Sequence, residues 1–323
     1  MPSSDSATNI LGLRQPVICV VGPTASGKTD VAQLIAKALD GEVVSADSMQ
    51  IYRGMDIGTG KLPAQERIVA HHGFDLVDPG EPYSAALFQT YARSCFREID
   101  KRGKRSVLAG GTGFYVRAAI DAYEFPEGEQ VDNPIREKWN AYAEQHGAQA
   151  LWDELKVVDP QSASVIPPAD VKRVVRAFEL LADGTTYAQQ KQRLAHIKQC
   201  VPAIFIGLSV EPDLLRNRIT ARVDHMIEQG LVDEVQGLLQ SGFRDGVTAP
   251  SAIGYKEIVY ALDGFCTLDE AIEAIKTATC RYAKRQRTWF RKDKRIHWLC
   301  ADSGDTEAIA AEALSLLDTL SDH

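Results

Sequence analysis

The stretch "VICVVGPTASGKTDVAQLIAKAL", Val17 to Leu39, decides the fold. Its apolar opening, Val17 to Val21, has the length of a short buried strand, and Val31, Leu34, Ile35, Ala38 and Leu39 then recur at helical spacing. Between them lie Gly22, four further residues, Gly27, Lys28 and Thr29, the spacing of a phosphate-cradling loop (P-loop) in the strand, loop and helix setting that such a loop needs. The glycines let backbone N–H groups converge in a concave nest, and the helix N-terminus adds partial positive charge. Lys28 adds a full one, and the Thr29 hydroxyl suits Mg²⁺. Gly22, Pro23, Thr24, Ala25, Ser26, Gly27, Lys28 and Thr29 are therefore the expected contacts for two linked phosphates, with Thr29 as metal ligand. The loop does not say what carries the phosphates.

Outward from this stretch, "GEVVSADSMQIY" from Gly41 reads as a second buried strand that stops near Asp47. "KRSVLAGGTGFYVRAAI" from Lys104 reads as a strand, a glycine turn and a helix. This alternation predicts an α/β core with a parallel sheet. From Asp121 the texture changes: "DAYEFPEGEQVDNP" is acidic and rich in turn residues, and the segments that follow, up to "DVKRVVRAFELLADG", are helical in pattern. A buried β pattern returns at "QCVPAIFIGLSV", followed by two helical segments. The expected organisation is a core over residues 14–120, a helical insertion over 121–200, a second part of the core over 201–300, and an acidic tail over 301–323 able to form one amphipathic helix.

Composition bounds the class. With 45% apolar and 25% charged residues, the 323-residue chain matches ordinary globular proteins and can bury a large core. A net charge of −8 argues against a protein that coats nucleic acid indiscriminately, while leaving room for a local basic groove. The six cysteines are scattered without a CxxC pair, so neither a zinc site nor a disulfide framework is expected. The first residues lack the basic and apolar regions of a signal peptide, and no stretch has the length of a membrane span. A cytoplasmic monomer without membrane contact is expected.

In an open α/β sheet, catalytic groups collect at the carboxyl ends of strands. Asp47 and the turn "GGTG" at Gly110 both sit there. Asp47 reads as a general base or as a helix cap. The Gly-Gly-Thr turn stands where a nucleotide hydrolase would place a metal-organising aspartate, and Asp75 and Asp78 in "FDLVDP" are weaker candidates for that carboxylate. Two basic regions bear on nucleic acid. In "CRYAKRQRTWFRKDKRIHW", Cys280 to Trp298, cations interleave with Tyr282, Trp289 and Phe290; aromatics there either stack on bases or anchor the helix. In the insertion, Lys172, Arg173 and Arg176 lie beside Val174, Val175 and Phe178, a pattern equally that of an ordinary charged surface.

Together "GPTASGKT", "VVSADSMQIYRGMDIGTGK", "GGTGFYVRA", "SAIGYKE" and "YAKRQRTWFR" resemble, in this order, the bacterial tRNA dimethylallyltransferases, also called tRNA isopentenyltransferases, over about residues 16–299. The resemblance implies a P-loop kinase-like core whose helical insertion grips the anticodon stem-loop. It implies Mg²⁺-dependent transfer of a dimethylallyl group from dimethylallyl diphosphate to N6 of the adenosine 3′ of the anticodon. It further implies Asp47 as base, Arg222 as a catalytic partner on the diphosphate, and a tRNA-facing set, while Thr24, inside the loop, reads either as a donor to the bridging oxygen or as a residue that shapes the turn. That set is Asp47, Ser48, Met49, Gln50, Thr112, Gly113, Arg136, Lys172, Arg173, Val174, Val175, Arg176, Ser251, Ala252, Ile253, Gly254, Tyr255, Lys256, Lys284 and Arg285. Two rivals stand beside it. One is a small-molecule kinase with Arg216, Arg218 and Arg222 as lid arginines binding ATP; the other is an RNA-binding module that uses the P-loop as a switch.

Overall fold

The computed structural model describes residues 8–125 and 133–321. Residues 1–7, half of the acidic turn-rich stretch (126–132) and the last two residues lie outside it. Two compact units are present: Met1–Asp121 with Gln199–His323, and Ala122–Lys198.

The first unit is built on β1 (Val17–Val21), α1 (Lys28–Ala38), β2 (Gly41–Ser45), β3 (His71–His72), α2 (Ala85–Lys101), β4 (Arg105–Gly110) and α3 (Gly113–Ile120). The inserted unit carries α4 (Pro134–Val158), α5 (Pro160–Val165), α6 (Val171–Ala182) and α7 (Tyr187–Ala195). The core then resumes with β5 (Ala203–Ser209), α8 (Pro212–Glu228), α9 (Leu231–Leu239), α10 (Tyr255–Leu262), α11 (Leu268–Phe290), β6 (Ile296–Cys300) and α12 (Thr306–Ser321). The sheet runs β3-β2-β4-β1-β5-β6, with every pairing parallel.

A parallel sheet is covered on both faces, which is why its strands read as unbroken apolar runs. Along β1, Ile18 and Val20 enter one apolar cluster while Val17, Cys19 and Val21 enter the other. Because β4 lies between β1 and β2, the chain reverses its winding beside β1. The crevice at the carboxyl ends of β1, β2 and β4 is the place where such sheets bind ligands.

Two features differ from the sequence reading, the edge strands and the packing of the tail helix into the core, while the break in α4 falls where the sequence divides its two helical segments. The edge strands β3 and β6 were not anticipated, the first being only two residues long. The segment set apart as an acidic tail forms α12, whose Ile309, Ala310, Ala313 and Leu317 are buried in the main core. In the insertion, α4 is broken at Gly147 (φ 86°), a left-handed conformation that suits glycine. That unit has its own core of Leu151, Leu155, Val174, Val175 and Phe178, with the Trp139 ring stacked 3.7 Å from that of Phe178.

The chain leaves and re-enters the first unit at one fixed point. Asp121 and Gln199 form an antiparallel bridge. The fully buried Asp121 carboxylate accepts hydrogen bonds from Arg117 Nε at 2.8 Å and Arg295 Nη1 at 2.6 Å, and Arg295 also reaches Gln199 Oε1 at 3.1 Å. Removing one partner of a buried ion pair leaves an uncompensated charge. Arg295→Met is therefore expected to lower unfolding free energy by about 3 kcal/mol in urea titration; a loss below about 0.5 kcal/mol, the scale of a surface change, would show that Arg117 alone satisfies Asp121.

Candidate active site

The phosphate loop is set by backbone conformation. Ala25 and Gly27 have positive φ, 62° and 82°, and Gly27 ends the loop as the N-cap of α1. For Ala25 this geometry costs about 1 kcal/mol, a local strain of the kind found at ligand-binding loops. Gly22 has no room for a side chain, since a Cβ there would meet the Leu208 carbonyl at 2.9 Å.

The loop is clamped from a distant part of the chain. The buried Gln286 side chain, on α11, accepts a hydrogen bond from Thr24 N at 2.8 Å and donates to the Gly111 carbonyl at 3.0 Å. A single amide thereby joins the phosphate loop to the Gly-Gly-Thr turn. In that turn the Thr112 hydroxyl accepts from Ser48 N at 3.2 Å, and a Cβ on Gly110 would overlap the Ala46 carbonyl. The turns after β2 and β4 are thus in direct contact, which fixes Asp47 beside them. Asp47 Oδ1 accepts from Met49 N at 2.9 Å; Oδ2 has no protein donor among the described residues.

Two cavities meet at this carboxylate. The larger, about 440 Å³, is lined by Ser48, Met49, the segment 251–256, Tyr282 and Arg285 among others. The smaller, about 50 Å³, is lined by Lys28, Thr29, Ser45, Gln50 and Gly110 among others. Thr24, Asp47, Thr59 and Arg222 line both. Burial pushes Lys28 down from the ordinary lysine value to about 8, with Asp47 opposing and Arg222 reinforcing the shift. Arg222, on α8, is likewise lowered by burial, and neither cation has a carboxylate ion pair among the described residues. Two desolvated cations facing one acid make a site that favours added negative charge.

The loop carrying Thr59 and Gly60 is held by residues that sequence reasoning missed. Glu234, on α9, accepts from Asp56 N, Ile57 N and Gly58 N at 3.1, 2.7 and 3.3 Å, and from the Tyr255 hydroxyl at 2.6 Å. Burial, and then Glu234, push the Tyr255 phenol well above its usual range. Lys61 is buried, with its ammonium on Asp56 and, at 2.6 Å, on Asp75.

Several expected site residues are placed elsewhere. Asp75 is paired with Lys61 and Asp78 with Arg53, so neither is a free metal carboxylate. Val174 and Val175 face the inserted unit's own core and offer no surface to RNA. Arg136 and Arg176 both bind the buried Glu179, at 2.6 and 2.7 Å, and so hold that unit together. Lys172 and Arg173 are the exposed cations of α6. Arg218 binds the carbonyls of Ala301 and Asp302, which takes it out of the role of a mobile lid arginine, whereas Arg216 makes only an exposed pair with Asp213.

A parallel α/β fold of the P-loop kinase type, with an anion-favouring loop and a carboxylate shared by two cavities, is the frame of a group-transfer enzyme that uses a phosphorylated donor. Comparison with known proteins specifies the group. The IPP transferase family model matches residues 50–293, and the isopentenyl transferase model matches residues 15–71. The chain is 45% identical over 289 residues to a tRNA dimethylallyltransferase of Bacillus pumilus, covering 88% of this chain and 89% of that protein. It is 44% identical over 309 residues to the tRNA dimethylallyltransferase of Carboxydothermus hydrogenoformans, covering 93% and 98%. The full-length tRNA isopentenylpyrophosphate transferase of Bacillus halodurans superposes with a TM-score of 0.69 at 40% identity, covering 96% of this chain and all of that one. A eukaryotic dimethylallyltransferase caught acting on tRNA gives a TM-score of 0.78 at 27% identity, covering 95% and 80%. The chain belongs to the IPP transferase family, that of the tRNA dimethylallyltransferases.

The clamp yields a test. Gln286→Ala leaves the Thr24 N–H and the Gly111 carbonyl without their partner, at a cost of about 1–3 kcal/mol. The expected result is a lower melting temperature, together with weaker binding of inorganic pyrophosphate. Unchanged pyrophosphate affinity would show that the loop holds its shape without Gln286.

Proposed function

We propose that the protein transfers a dimethylallyl group from dimethylallyl diphosphate to N6 of the adenosine 3′-adjacent to the anticodon of tRNA, releasing diphosphate. The observation that carries this is the junction of the two cavities. The small polar one is lined by the phosphate loop, the large one has room for an extruded nucleobase, and Asp47 and Arg222 belong to both. Extruding a base costs a few kcal/mol, which the lining of the larger cavity repays by contacts to its edges and faces.

An adenine amino group is a poor nucleophile because its lone pair is delocalised into the ring. In the step proposed, N6 attacks C1 of the prenyl group, the C1–O electron pair leaves on the diphosphate, and the N6 proton passes to Asp47. Lys28, Arg222 and the loop N–H groups oppose the negative charge that grows on the leaving group. Thr24 lines both cavities, which supports its hydroxyl as a donor to the bridging oxygen. The smaller cavity offers oxygen donors, Thr29, Ser45, Asp47 and Gln50, which fit Mg²⁺ by ligand type. When bound there through Thr29, that ion would supply charge neutralisation of the diphosphate. For tRNA phosphates, the inserted unit offers the exposed Lys172, with Arg173 paired to Asp170, and the first unit offers Lys284 and Arg285 of α11.

The kinase reading is not favoured: β4 ends at Gly110 and is followed by Gly111 and Thr112 with no carboxylate, and Arg218 of its lid arginines is engaged elsewhere. We also read the protein as a cytoplasmic monomer, its six free thiols fitting a reducing compartment. Among the described residues no helix is long and apolar enough to cross a membrane. The deciding experiment is incubation with dimethylallyl diphosphate, Mg²⁺ and unmodified tRNA, followed by mass analysis of the nucleosides. A five-carbon gain on adenosine is expected, and its absence would reject the assignment.

Two further outcomes follow from the residues. Asp47→Asn keeps the shape and the hydrogen bond to Met49 but removes the base; kcat should fall by about 10² or more while tRNA binding stays within a few fold. A wild-type rate would make Asp47 a turn-forming residue. For Lys28, the protonated form binds the diphosphate, and the bound anion raises its pKa. Donor affinity is therefore fully present below about pH 8 and declines as pH rises through that value. The profile of kcat/KM for the donor should bend downward there in the wild type, and Lys28→Ala should be weak and lack that bend; a wild-type profile flat from pH 7 to 9.5 would contradict the assignment.

A further inference from the structure

α11 carries more than the clamp. Tyr282, Arg285 and Trp289 follow one another at i, i+3 and i+7 and so form a single stripe on the helix. Tyr282 and Arg285 line the larger cavity, with the guanidinium 5.5 Å from the Tyr282 ring centroid. Trp289 lies one turn further along, about 5.4 Å, beyond the residues that line the cavity.

The Trp289 indole is 43% exposed, high for the largest apolar side chain. Its position is nonetheless fixed, because the ring packs on Gly113 so closely that a Cβ there would overlap it. Gly113 directly follows Thr112, which holds Ser48 beside Asp47. Gln286, three residues before Trp289, pins the helix to the phosphate loop. The indole is therefore rigidly indexed to the reactive carboxylate while one part of it remains open. Around it, Lys284, Arg285, Arg291 and Lys292 are exposed and have no ion pairs among the described residues. An exposed aromatic ring set in uncompensated positive charge matches single-stranded nucleic acid, where bases stack on aromatics and phosphates meet cations.

On the reading that the protein acts on a tRNA anticodon loop, we propose that Trp289 is a stacking platform for a nucleobase flanking the adenosine that enters the cavity. The platform receives the loop nucleotide left without its stacking neighbour when the adenosine is extruded. It thereby lowers the cost of extrusion and sets the register of the loop. Stacking is tolerant of base identity, so Trp289 contributes affinity and placement more than sequence choice.

The test uses the full-length protein and a synthetic, unmodified anticodon stem-loop. Trp289→Ala is expected to raise KM for the stem-loop about tenfold, while kcat and the KM for dimethylallyl diphosphate stay within about twofold. Trp289→Phe, which keeps a smaller ring, should restore most of the loss. The stem-loop should also quench tryptophan fluorescence in the wild type, and the greater part of that quenching should vanish in Trp289→Phe. An unchanged stem-loop KM in Trp289→Ala overturns the proposal. So does a variant that loses both substrates equally and melts earlier, because Trp289 would then only anchor α11 on Gly113. If the wild type prenylates no stem-loop at all, the assigned reaction fails, and the quenching difference on the unreacted stem-loop still decides the platform.

Discussion

One side-chain amide carries much of the architecture of the site. Gln286 bonds Thr24 N and the Gly111 carbonyl across sequence separations of 262 and 175 residues. The two turns it joins end β1 and β4, adjacent strands of the sheet. Loop closure over such distances is entropically costly, and the hydrophobic core below meets most of that cost. The amide adds direction: it fixes which face of α11 lies against the loop, and so places Tyr282, Arg285 and Trp289 along one line from the cavity. A hydrophobic residue at this position could fill the space but would leave two backbone groups unpaired.

Electrostatics then divides the site in two. On the phosphate side, burial strips Lys28 and Arg222 of water without supplying either with a carboxylate partner among the described residues. Asp47 lies where their influence meets the larger cavity. In the proposed reaction, a bound diphosphate would satisfy both cations and its departure after C1–O cleavage would restore the original balance. Elsewhere the same chemistry is used structurally: Glu179 takes Arg136 and Arg176, and Asp121 takes Arg117 and Arg295. Lys28 and Arg222 differ from these structural pairs in having no carboxylate partner among the described residues.

Much of this was legible in the sequence because it is local. The apolar run at Val17, the glycine spacing that follows, and the strand ends at Asp47 and Gly110 are patterns of a few residues, and periodicity and backbone sterics read them directly. Gln286 and Glu234 were invisible for the opposite reason, since the backbone groups they bind lie more than 170 residues away and ordinary helical Gln and Glu give no signal. β3 is too short to show a period, and β6 was masked by the charges around it. The misplacing of Val174 and Val175 was avoidable: with Phe178 they form the apolar stripe of an amphipathic helix, and that spacing points inward.

The account rests on the claim that the phosphate loop holds a leaving diphosphate and does not transfer a phosphoryl group. The most direct measurement counts both products of one reaction in buffer freed of all nucleotides, with only dimethylallyl diphosphate, tRNA and Mg²⁺ present. The account predicts one pyrophosphate released for each prenylated adenosine, with no orthophosphate formed and no stimulation by ATP. A reaction that stays silent until ATP is added, or that releases orthophosphate in step with product, would contradict it.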